Sequence, residues 1–550
     1  SWNDFEAETS KVLERLKGSD KQIVLLTQTF ASPSTRNLIA DFKEEYGNVK
    51  HVVYDAVSEF AAAEAFQKKY NKRGLANYDF SEAMTIVSVG ADFLGDWQGG
   101  GFDSGYSKNR IPDHGKMSRH IQFESNMSLT GANADKRVPL TPAEQKLALA
   151  KLYSLVTGNN VTVNGLSESV EAAVSAAASQ LKRAGSKGVV VTGIQDVNAQ
   201  TVVLELNEYL ASQAFDAKTA IKTREGNDSD VAQLVIDMKA GKVGAIIMSG
   251  VNPLYTLANA ADFAEGLKKT QLSVTFSTKE DETSTQTQYI AAAPHYLESW
   301  GDVELKTGHY ALTQPAIRPL FSTKQLQDAL LKWTGNDQSY SDYIKLIWNE
   351  DILNGASFNQ ALHDGYFVSG TNEADDIDAL EGVIDSEQSD VVFSGDAAQA
   401  LASSKKSEGL ELTLYTKVGM GDGQQANNPW LQEFPDPLTR ASWDNYLTIS
   451  KADADAYGLI NKHVANGALN GSYANVTANG VTIKVPVMIQ PGQAKGSVGL
   501  ALGYGRTLGL KEEMQTGVNA YALYQGFNNV QTVTIEAAAG EHEFASVQLH

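Results

Sequence analysis

Short apolar runs alternate with amphipathic segments along the first part of the chain. The β-branched runs at 22–28 and 49–55 predict strands, and the segments 34–46 and 58–70 predict amphipathic helices. The run 84–89 is almost continuously apolar and stops at Gly90, which is typical of a parallel strand buried on both faces. A ligand-facing turn is expected at the carboxyl end of such a strand.

The same α/β pattern continues, and it then changes to a β-rich pattern. Thr141 and Glu144 form a capping pattern that predicts a helix from 142 to about 156. Further helices are predicted at 167–184, 199–211 and 230–240, and further strands at 189–193 and 245–249. Beyond residue 391, short alternating runs at 410–416, 446–450, 481–489 and 530–535 predict a barrel.

This pattern predicts an α/β protein with two parallel-sheet lobes and a C-terminal β-barrel domain. The expected bounds are 1–165 for the first lobe, 166–390 for the second and 391–550 for the barrel, with the lobes allowed to be discontinuous. A length of 550 residues agrees with three or four packed units.

Composition excludes several classes of function. Lys and Arg total 45 against 66 for Asp and Glu, a net charge of −21, which argues against nucleic-acid binding. No apolar stretch approaches the ~20 residues of a membrane-spanning helix, so no direct membrane span is expected. The absence of cysteine removes disulfides, thiolate nucleophiles and every cysteine-held cluster or zinc. The chain begins at Ser1 without an initiator Met, so we expect a processed chain or a piece of a longer one.

Two turns that follow predicted strands are candidate ligand sites. Gly90 and Asp92 follow the first strand, and Gly250, Asn252 and Pro253 follow the second. Their backbone N–H groups and side-chain oxygens suit a nucleotide at the end of each sheet. Gly with Asn or Asp after a strand is also ordinary turn chemistry.

Three further segments carry polar groups in non-periodic stretches, as binding loops do. His295 is open to three interpretations: a general base, a metal ligand or a hydrogen-bonded structural histidine. Asn427, Asn428 and Glu433 form a proline-rich polar loop suited either to a heterocycle or to an interface, and Arg506 could grip an anion. No serine-hydrolase elbow, phosphate loop or zinc-helix motif occurs, so no catalytic residue and no metal ligand is predicted.

These residues together resemble the molybdopterin oxidoreductase family, the dimethyl-sulfoxide-reductase-like enzymes, over the whole chain. Residues 90–93 (Gly-Ala-Asp-Phe) are similar to the family's Gly-x-Asn-Pro loop, and 250–253 (Gly-Val-Asn-Pro) match its second copy more closely. Residues 281–283 with Pro294, His295 and Glu298 resemble the stretch that follows. Residues 134–142 resemble the segment that leads into the family's guanine-binding turn.

Three segments, at 124–135, 297–302 and 427–436, resemble a specialised branch: the iron–sulfur subunit of alternative complex III, a bacterial quinol-oxidising respiratory complex. That resemblance implies a cofactor-free, non-catalytic module. The implied partners are a ferredoxin-like iron–sulfur half, a multihaem cytochrome and membrane quinol-oxidising subunits. It also implies twin-arginine export and a location on the periplasmic side of the inner membrane.

One departure from the family pattern bears on the cofactor. Thr141-Pro142-Ala143-Glu144 stands where the family has Pro-Gly-Thr-Asp, so the close-approach glycine and the guanine-pairing Asp are both missing. The candidate residues are therefore expected to be vestigial, with no cofactor in this chain. Two alternatives remain: a catalytic half that keeps a bis-pterin guanine dinucleotide, and an α/β ligand-binding protein.

Overall fold

The computed structural model describes residues 1–112, 115–369, 395–464 and 468–547, and the chain divides into two compact units. Unit 1 comprises Ser1–Asp55, Ala217–Val251 and Asp262–Ser394, and unit 2 comprises Ala56–Asp216, Asn252–Ala261 and Gly395–His550. The expected boundary at 390/391 and the last three residues lie outside the described residues.

Unit 1 is built on a five-stranded parallel sheet in the order β11-β10-β9-β1-β2. Its strands are β1 (Gln22–Thr27), β2 (Val49–Val53), β9 (Val243–Ser249), β10 (Leu272–Ser277) and β11 (Tyr289–Ala292). Ile23 of β1 lies opposite Val49 on one side and Ala245 on the other. The central strands are buried on both faces, as their continuous apolar runs require.

Helices cover this sheet, and a small antiparallel ladder adjoins it. The helices are α1 (Trp2–Leu16), α2 (Pro33–Tyr46), α9 (Asp228–Lys239), α11 (Ala260–Leu267), α12 (Leu326–Trp333), α13 (Tyr340–Ile347) and α14 (Phe358–Asp364). The ladder contains β8 (Phe215–Ile221), β12 (Gly301–Lys306), β13 (His309–Thr313) and β14 (Tyr366–Val368). Phe42, Trp333 and Trp348 lie in the resulting apolar core.

Unit 2 contains a second parallel sheet in the order β6-β5-β4-β7. Its strands are β4 (Thr85–Val89), β5 (Arg119–Glu124), β6 (Lys136–Pro139) and β7 (Gly188–Thr192), and β3 (Leu75–Tyr78) precedes them. The helices are α3 (Phe60–Tyr70), α4 (Asp103–Lys108), α5 (Leu129–Ala132), α6 (Pro142–Thr157), α7 (Glu168–Ala184), α8 (Val197–Tyr209), α10 (Pro253–Thr256) and α15 (Asp396–Ala402). The predicted capping box is confirmed, because Thr141 and Glu144 bond each other's backbone N–H at the start of α6.

The C-terminal part of unit 2 forms a closed six-stranded barrel, as predicted. Its strands are β15 (Leu410–Tyr415), β17 (Leu447–Ile449), β19 (Leu469–Ala478), β20 (Val481–Ile489), β21 (Ser497–Ala501) and β22 (Val530–Glu543). The order β19-β20-β17-β21-β15-β22 closes on itself because β22 also pairs with β19. β16 (Ala441–Ser442), β18 (Asn461–His463), β23 (Ala545–Ser546), α16 (Pro429–Glu433) and α17 (Lys451–Ala456) complete the domain.

The two parallel sheets take their strands from interleaved stretches of chain. Residues 22–53 pair with 243–292, and the whole of the second sheet, 85–192, lies between them in sequence. The first sheet therefore combines two separate stretches of chain, and the second sheet takes strands from both sides of residue 165. Among the described residues, we find no helix with the length and apolar character that crossing a lipid bilayer demands.

Candidate functional site

A candidate site is a cavity of about 540 Å³ inside unit 2. Gly90, Ser125 and Gly193 line it, and each directly follows a strand of the parallel sheet, β4, β5 or β7 respectively. Residues at the end of β15 line it from the barrel. The cavity thus lies at the carboxyl ends of parallel strands, where open α/β sheets usually bind ligands.

At the two glycine turns on this edge of the sheet, protein atoms occupy the position that a Cβ would take. Gly90 has φ +72°, and a Cβ there would lie 2.6 Å from Oε1 of Gln145. A Cβ on Gly193 would lie 2.2 Å from the carbonyl oxygen of Gly90. Glycine at both positions therefore permits close contacts within the chain, and the amide end of Gln145 lies in the space beside Gly90.

A carboxylate of the barrel caps the helix that begins at this cavity. The N–H of Ala143, in the first turn of α6, donates to Oε2 of Glu411 at 2.8 Å, and the N–H of Ser407 donates to Oε1. Glu144 accepts from the N–H of Thr141. Helix N-termini bind anions through such N–H groups, and here the chain's own carboxylates occupy them.

Two further carboxyl groups on the cavity wall have raised pKa values. Burial raises the pKa of Asp92, and the nearby negative charge of Asp436 adds to that shift. Burial likewise raises the pKa of Glu124, against the opposing effect of the Arg137 guanidinium that bonds it. Both carboxyls therefore hold protons more readily than exposed acids do.

A buried chain of hydrogen bonds runs from Glu124 into the sheet. The amide nitrogen of Gln122 donates to Glu124, which leaves the amide oxygen of Gln122 to accept from Nε2 of His120. Burial lowers the pKa of His120 to about 4, so the ring is neutral at pH 7 with its proton on Nε2. Nδ1 is then an acceptor, 3.2 Å from the hydroxyl of Tyr106.

Lys417 is a buried ammonium near the cavity. Its Nζ lies 3.9 Å from the centre of the Tyr446 ring and 5.3 Å from that of Tyr504, and it donates to the carbonyl oxygen of Asp444. Burial lowers its pKa to about 8, although the charges of Asp436 and Asp444 act in the opposite direction. The ammonium group is thus in cation–π contact with both rings.

The turn after β9 has a backbone conformation similar to that of the turn at Gly90, but it leads into residues that pack in the protein interior. Gly250 has φ +70°, and a Cβ there would lie 2.5 Å from the side chain of Gln28. Asn252 precedes α10, and Pro253 occupies the first helical position, where proline is favoured. Tyr255 of α10 then packs into the apolar core of the barrel and donates to the carbonyl oxygen of Tyr504.

Three comparisons with known proteins bear on the family. No protein-family model matches the chain. A curated relative, the molybdopterin-binding-like subunit of menaquinone reductase from Nitratidesulfovibrio vulgaris, is 22% identical and aligns with 92% of this chain and 76% of its own length. Acetylene hydratase from Pelobacter acetylenicus superposes with a TM-score of 0.65 at 12% identity, over 98% of this chain and 89% of that one.

The fold is molybdopterin oxidoreductase-like. The curated relative supports the same broad family for the sequence. A formyltransferase/hydrolase complex from Methylorubrum extorquens is also similar, with a TM-score of 0.40 at 13% identity, over 61% of this chain and 96% of that one.

His295 is an exposed structural residue. Its Nδ1 accepts from the N–H of Leu297, and its own N–H donates to the buried carboxylate of Glu298. The pair caps a single helical turn at Tyr296–Glu298. Among the described residues, no group of three or more His, Asp or Glu side chains is placed to hold a metal.

The candidate loop at 427–436 does not bring its predicted residues to the cavity. Asn427 and Glu433 are exposed, while Asn428 caps α16 by accepting from the N–H of Trp430. Instead, Gln432 is the buried member of this loop: its amide nitrogen donates to the carbonyls of Ala426 and Met514. The loop therefore clamps neighbouring segments of the domain.

Arg506 is 4% exposed and lies within the barrel domain. It donates to the carbonyl oxygen of Gly423 at 3.1 Å, and its guanidinium lies 5.3 Å from the centre of the Tyr255 ring. It does not line the 540 Å³ cavity. Of the predicted site residues, Gly90 and Asp92 line that cavity and the other eight do not.

Several residues that shape the cavity were not singled out from the sequence. Glu411 lies in the mostly apolar strand β15, and Lys417 lies two residues after the end of that strand, so each is a buried charged residue in a mostly apolar stretch. That pattern could have marked both residues. Nothing local in the sequence marks Gln145 as the residue that fills the space beside Gly90.

Proposed function

We propose that this chain is a cofactor-free, molybdopterin oxidoreductase-like module that supports a respiratory quinol oxidoreductase complex of the alternative complex III type. In this proposal it has no catalytic residues of its own, and clusters and haems elsewhere in the complex carry the electrons. The proposed partners are a ferredoxin-like iron–sulfur half, a multihaem cytochrome and membrane quinol-oxidising subunits. The proposed location is the periplasmic side of the bacterial inner membrane.

The observation that carries the proposal is the capped N-terminus of α6. A pterin guanine dinucleotide brings phosphate groups, which need free N–H donors or cationic side chains. At this cavity Glu411 occupies the N–H of Ala143, and Gln145 fills the space beside Gly90. The residues present therefore do not fit the nucleotide, and the proposed role includes no reaction step at a pterin.

The relative's name supports the respiratory part of the proposal. It describes a molybdopterin-binding-like subunit of a menaquinone reductase, which is a quinone-linked assembly. The absence of cysteine from this chain agrees with electron carriers held by other chains or segments.

Metal and pterin analysis of the purified chain tests the cofactor-free state. We expect molybdenum, tungsten and pterin far below one equivalent per chain, with a molybdopterin enzyme expressed in the same cells as the positive control. A stoichiometric metal and pterin content would overturn the proposal and favour the catalytic alternative. The polar cavity at the strand ends is the observation that keeps that alternative open.

Complex membership is tested separately by purifying the tagged chain from native membranes under mild detergent conditions. We expect co-purification of a polypeptide with a ferredoxin-like cluster signature and of a c-type cytochrome with haem absorbance. Recovery of the chain alone from both membrane and soluble fractions would contradict membership in a respiratory complex.

A further inference from the structure

Two short segments of unit 1 expose large apolar side chains beside each other. The apolar face consists of five side chains that are 40% to 79% exposed: Tyr296, Leu297, Ile317, Leu320 and Phe321. The segments are neighbours, because the N–H of Ile317 donates to the carbonyl oxygen of Leu297 at 3.1 Å. A contiguous exposed apolar surface of this kind marks an interaction site.

Hydrogen bonds fix the backbone of both segments. The N–H of Leu320 donates to the buried carboxylate of Glu298 at 3.1 Å, and that carboxylate also accepts from the N–H of His295. The carbonyl oxygen of Ser322 accepts from the indole N–H of Trp2 at 2.9 Å. The apolar face is therefore already ordered, and binding costs it little further backbone entropy.

The charge of this stretch is opposite in sign to that of the whole chain. All of its carboxylates, from residue 294 to residue 324, are buried: Glu298, Asp302 and Glu304. Arg318 is exposed and has no ion pair among the described residues, whereas Lys324 is paired with Glu6. In a chain with a net charge of −21, the apolar face thus has a local positive charge.

A second exposed apolar pair, in unit 2, differs in charge. Trp430 is 80% exposed and Phe434 is 55% exposed, one helical turn apart at α16. The residue between them on that turn, Glu433, is an exposed carboxylate. The two surfaces are alike in apolar character and opposite in local charge, so the second is a matched control for the first.

We propose that the apolar face docks on the surface of a lipid bilayer that contains anionic lipids. Leu320 and Phe321 enter the boundary between headgroups and acyl chains, where aromatic and aliphatic side chains are favoured. Arg318 stays at the level of the lipid phosphates and donates to them. Side chains that protrude this far suit a deformable lipid surface, whereas a protein partner would need a preformed pocket for each.

The net charge of −21 does not oppose this docking strongly. Salt screens charges beyond about 8 Å at physiological ionic strength, so the charge next to the bilayer matters more than the total. The proposal goes beyond the proposed function, since it requires neither a particular cofactor content nor membership in a complex.

Flotation with lipid vesicles tests the proposal on the purified chain. The probes are vesicles of phosphatidylcholine alone and of phosphatidylcholine mixed with anionic phosphatidylglycerol. We expect the chain to bind the mixed vesicles about fivefold more tightly than the neutral ones, which is the effect of one interfacial arginine. Arg318→Gln should remove that preference. Absence of the chain from the floating fraction with both kinds of vesicle would overturn the proposal.

Substitutions locate the contact. Leu320→Ser combined with Phe321→Ser should weaken binding to the mixed vesicles at least about tenfold, because both side chains lose their apolar contact with lipid. Trp430→Ser combined with Phe434→Ser is the matched control and should leave binding unchanged. Circular dichroism verifies that both variants are folded. Unchanged binding of the first variant, or an equal loss in the control, would contradict the assigned face.

The absence of cysteine permits a direct measurement of the contact. Ser322→Cys, at an exposed position next to Phe321, can carry a single environment-sensitive fluorophore, and Glu433→Cys, next to Phe434, is its control. We expect the emission of the label at position 322 to shift to shorter wavelength on the mixed vesicles, with no shift at position 433. No shift at position 322, or equal shifts at both positions, would count against docking through this face.

A protein partner is the contrasting outcome. If the vesicles do not bind the chain, and the Leu320→Ser, Phe321→Ser variant loses a polypeptide that co-purifies with the native chain, the face binds a protein and the lipid proposal is wrong. Failure of vesicle binding would overturn this inference alone, whereas stoichiometric molybdenum would overturn the cofactor-free function alone.

Discussion

The turns that follow β4 and β9 have the same backbone conformation at their glycines but lead into different surroundings. Gly90 and Gly250 have φ of +72° and +70°, and a glutamine, Gln145 or Gln28, fills the space beside each. The first turn continues into Asp92 and the polar cavity, whereas the second continues into Pro253 and a helix that packs on the barrel core. The same strand-end motif can thus lead into a polar cavity or into a packed helix, depending on the residues that follow the glycine.

The largest effect is expected from Gly193→Ala. Its Cβ would lie 2.2 Å from the carbonyl oxygen of Gly90, and backbone cannot move aside as the end of a glutamine can. We expect a loss of about 3 kcal/mol in the free energy of unfolding, measured by urea denaturation. Gly158→Ala, at φ +83° with no atom within 4 Å, is the control and should lose only about 1 kcal/mol. Equal losses would show that the first turn is not closed by backbone contact.

Arg506→Ala tests the packing around the residues that follow the second turn. Arg506 stacks on Tyr255, in the helix that begins at Pro253, so its removal should cost about 2–3 kcal/mol of stability. Arg183→Ala, an exposed arginine in the last turn of α7, is the matched control and should change stability by less than about 0.5 kcal/mol. Unchanged stability of folded Arg506→Ala would contradict this structural assignment.

The sheets beneath the two turns each hold a histidine that is neutral when folded. Burial lowers the pKa of His120 on β5, and of His51 on β2, from 6.5 to about 4. The unfolded chain then binds protons that the folded chain does not, so stability is complete above pH 6.5 and falls as the pH drops toward 4. For fully buried His120 the loss by pH 5 should be about 2 kcal/mol.

Chemical denaturation of His120→Gln and His51→Gln at pH 7 and pH 5 measures these contributions. Each variant should show a shallower fall in stability with acid than the native chain, and His51→Gln should show the smaller change because His51 is only half-buried. A pH profile that neither substitution alters would mean that other groups govern acid unfolding.

The smallest expected difference lies between Gly90→Ala and Gly250→Ala. Both add a Cβ at a left-handed φ and against the end of a glutamine side chain. Each should therefore cost about 1–2 kcal/mol, and the two values should agree within about 0.5 kcal/mol. A much larger loss at either position would break the equivalence of the two turns.

Sequence patterns predicted the individual elements well because buried positions are occupied by apolar residues, and their spacing along the chain differs between helices and strands. The apolar run before Gly90 became β4, and the Thr141–Glu144 pattern became a capped helix. The interleaving of the sheets could not be read in this way, because the pairing of Ile23 with Ala245 leaves no mark in either segment.

The candidate site was harder to predict than the fold. Asp92 was recognisable from its position after a strand, and the resemblance to the molybdopterin oxidoreductases drew attention to both turns. Glu411 lies 268 residues from Ala143, whose N–H it caps, so the sequence around Ala143 carries no sign of the carboxylate. His295 was visible as a chemical group, but only its contact with Leu297 shows that it is a helix cap.

The closed barrel also determines when the molecule can finish folding. β22 bonds both β15 and β19, which precede it in the chain. During synthesis, β22 must emerge before the last two strand pairings of the barrel can form. Such long-range closure is intrinsically slow and leaves strand edges exposed in the meantime. A nascent chain that lacks β22 therefore presents unpaired edges on β15 and β19, which are natural binding sites for a chaperone.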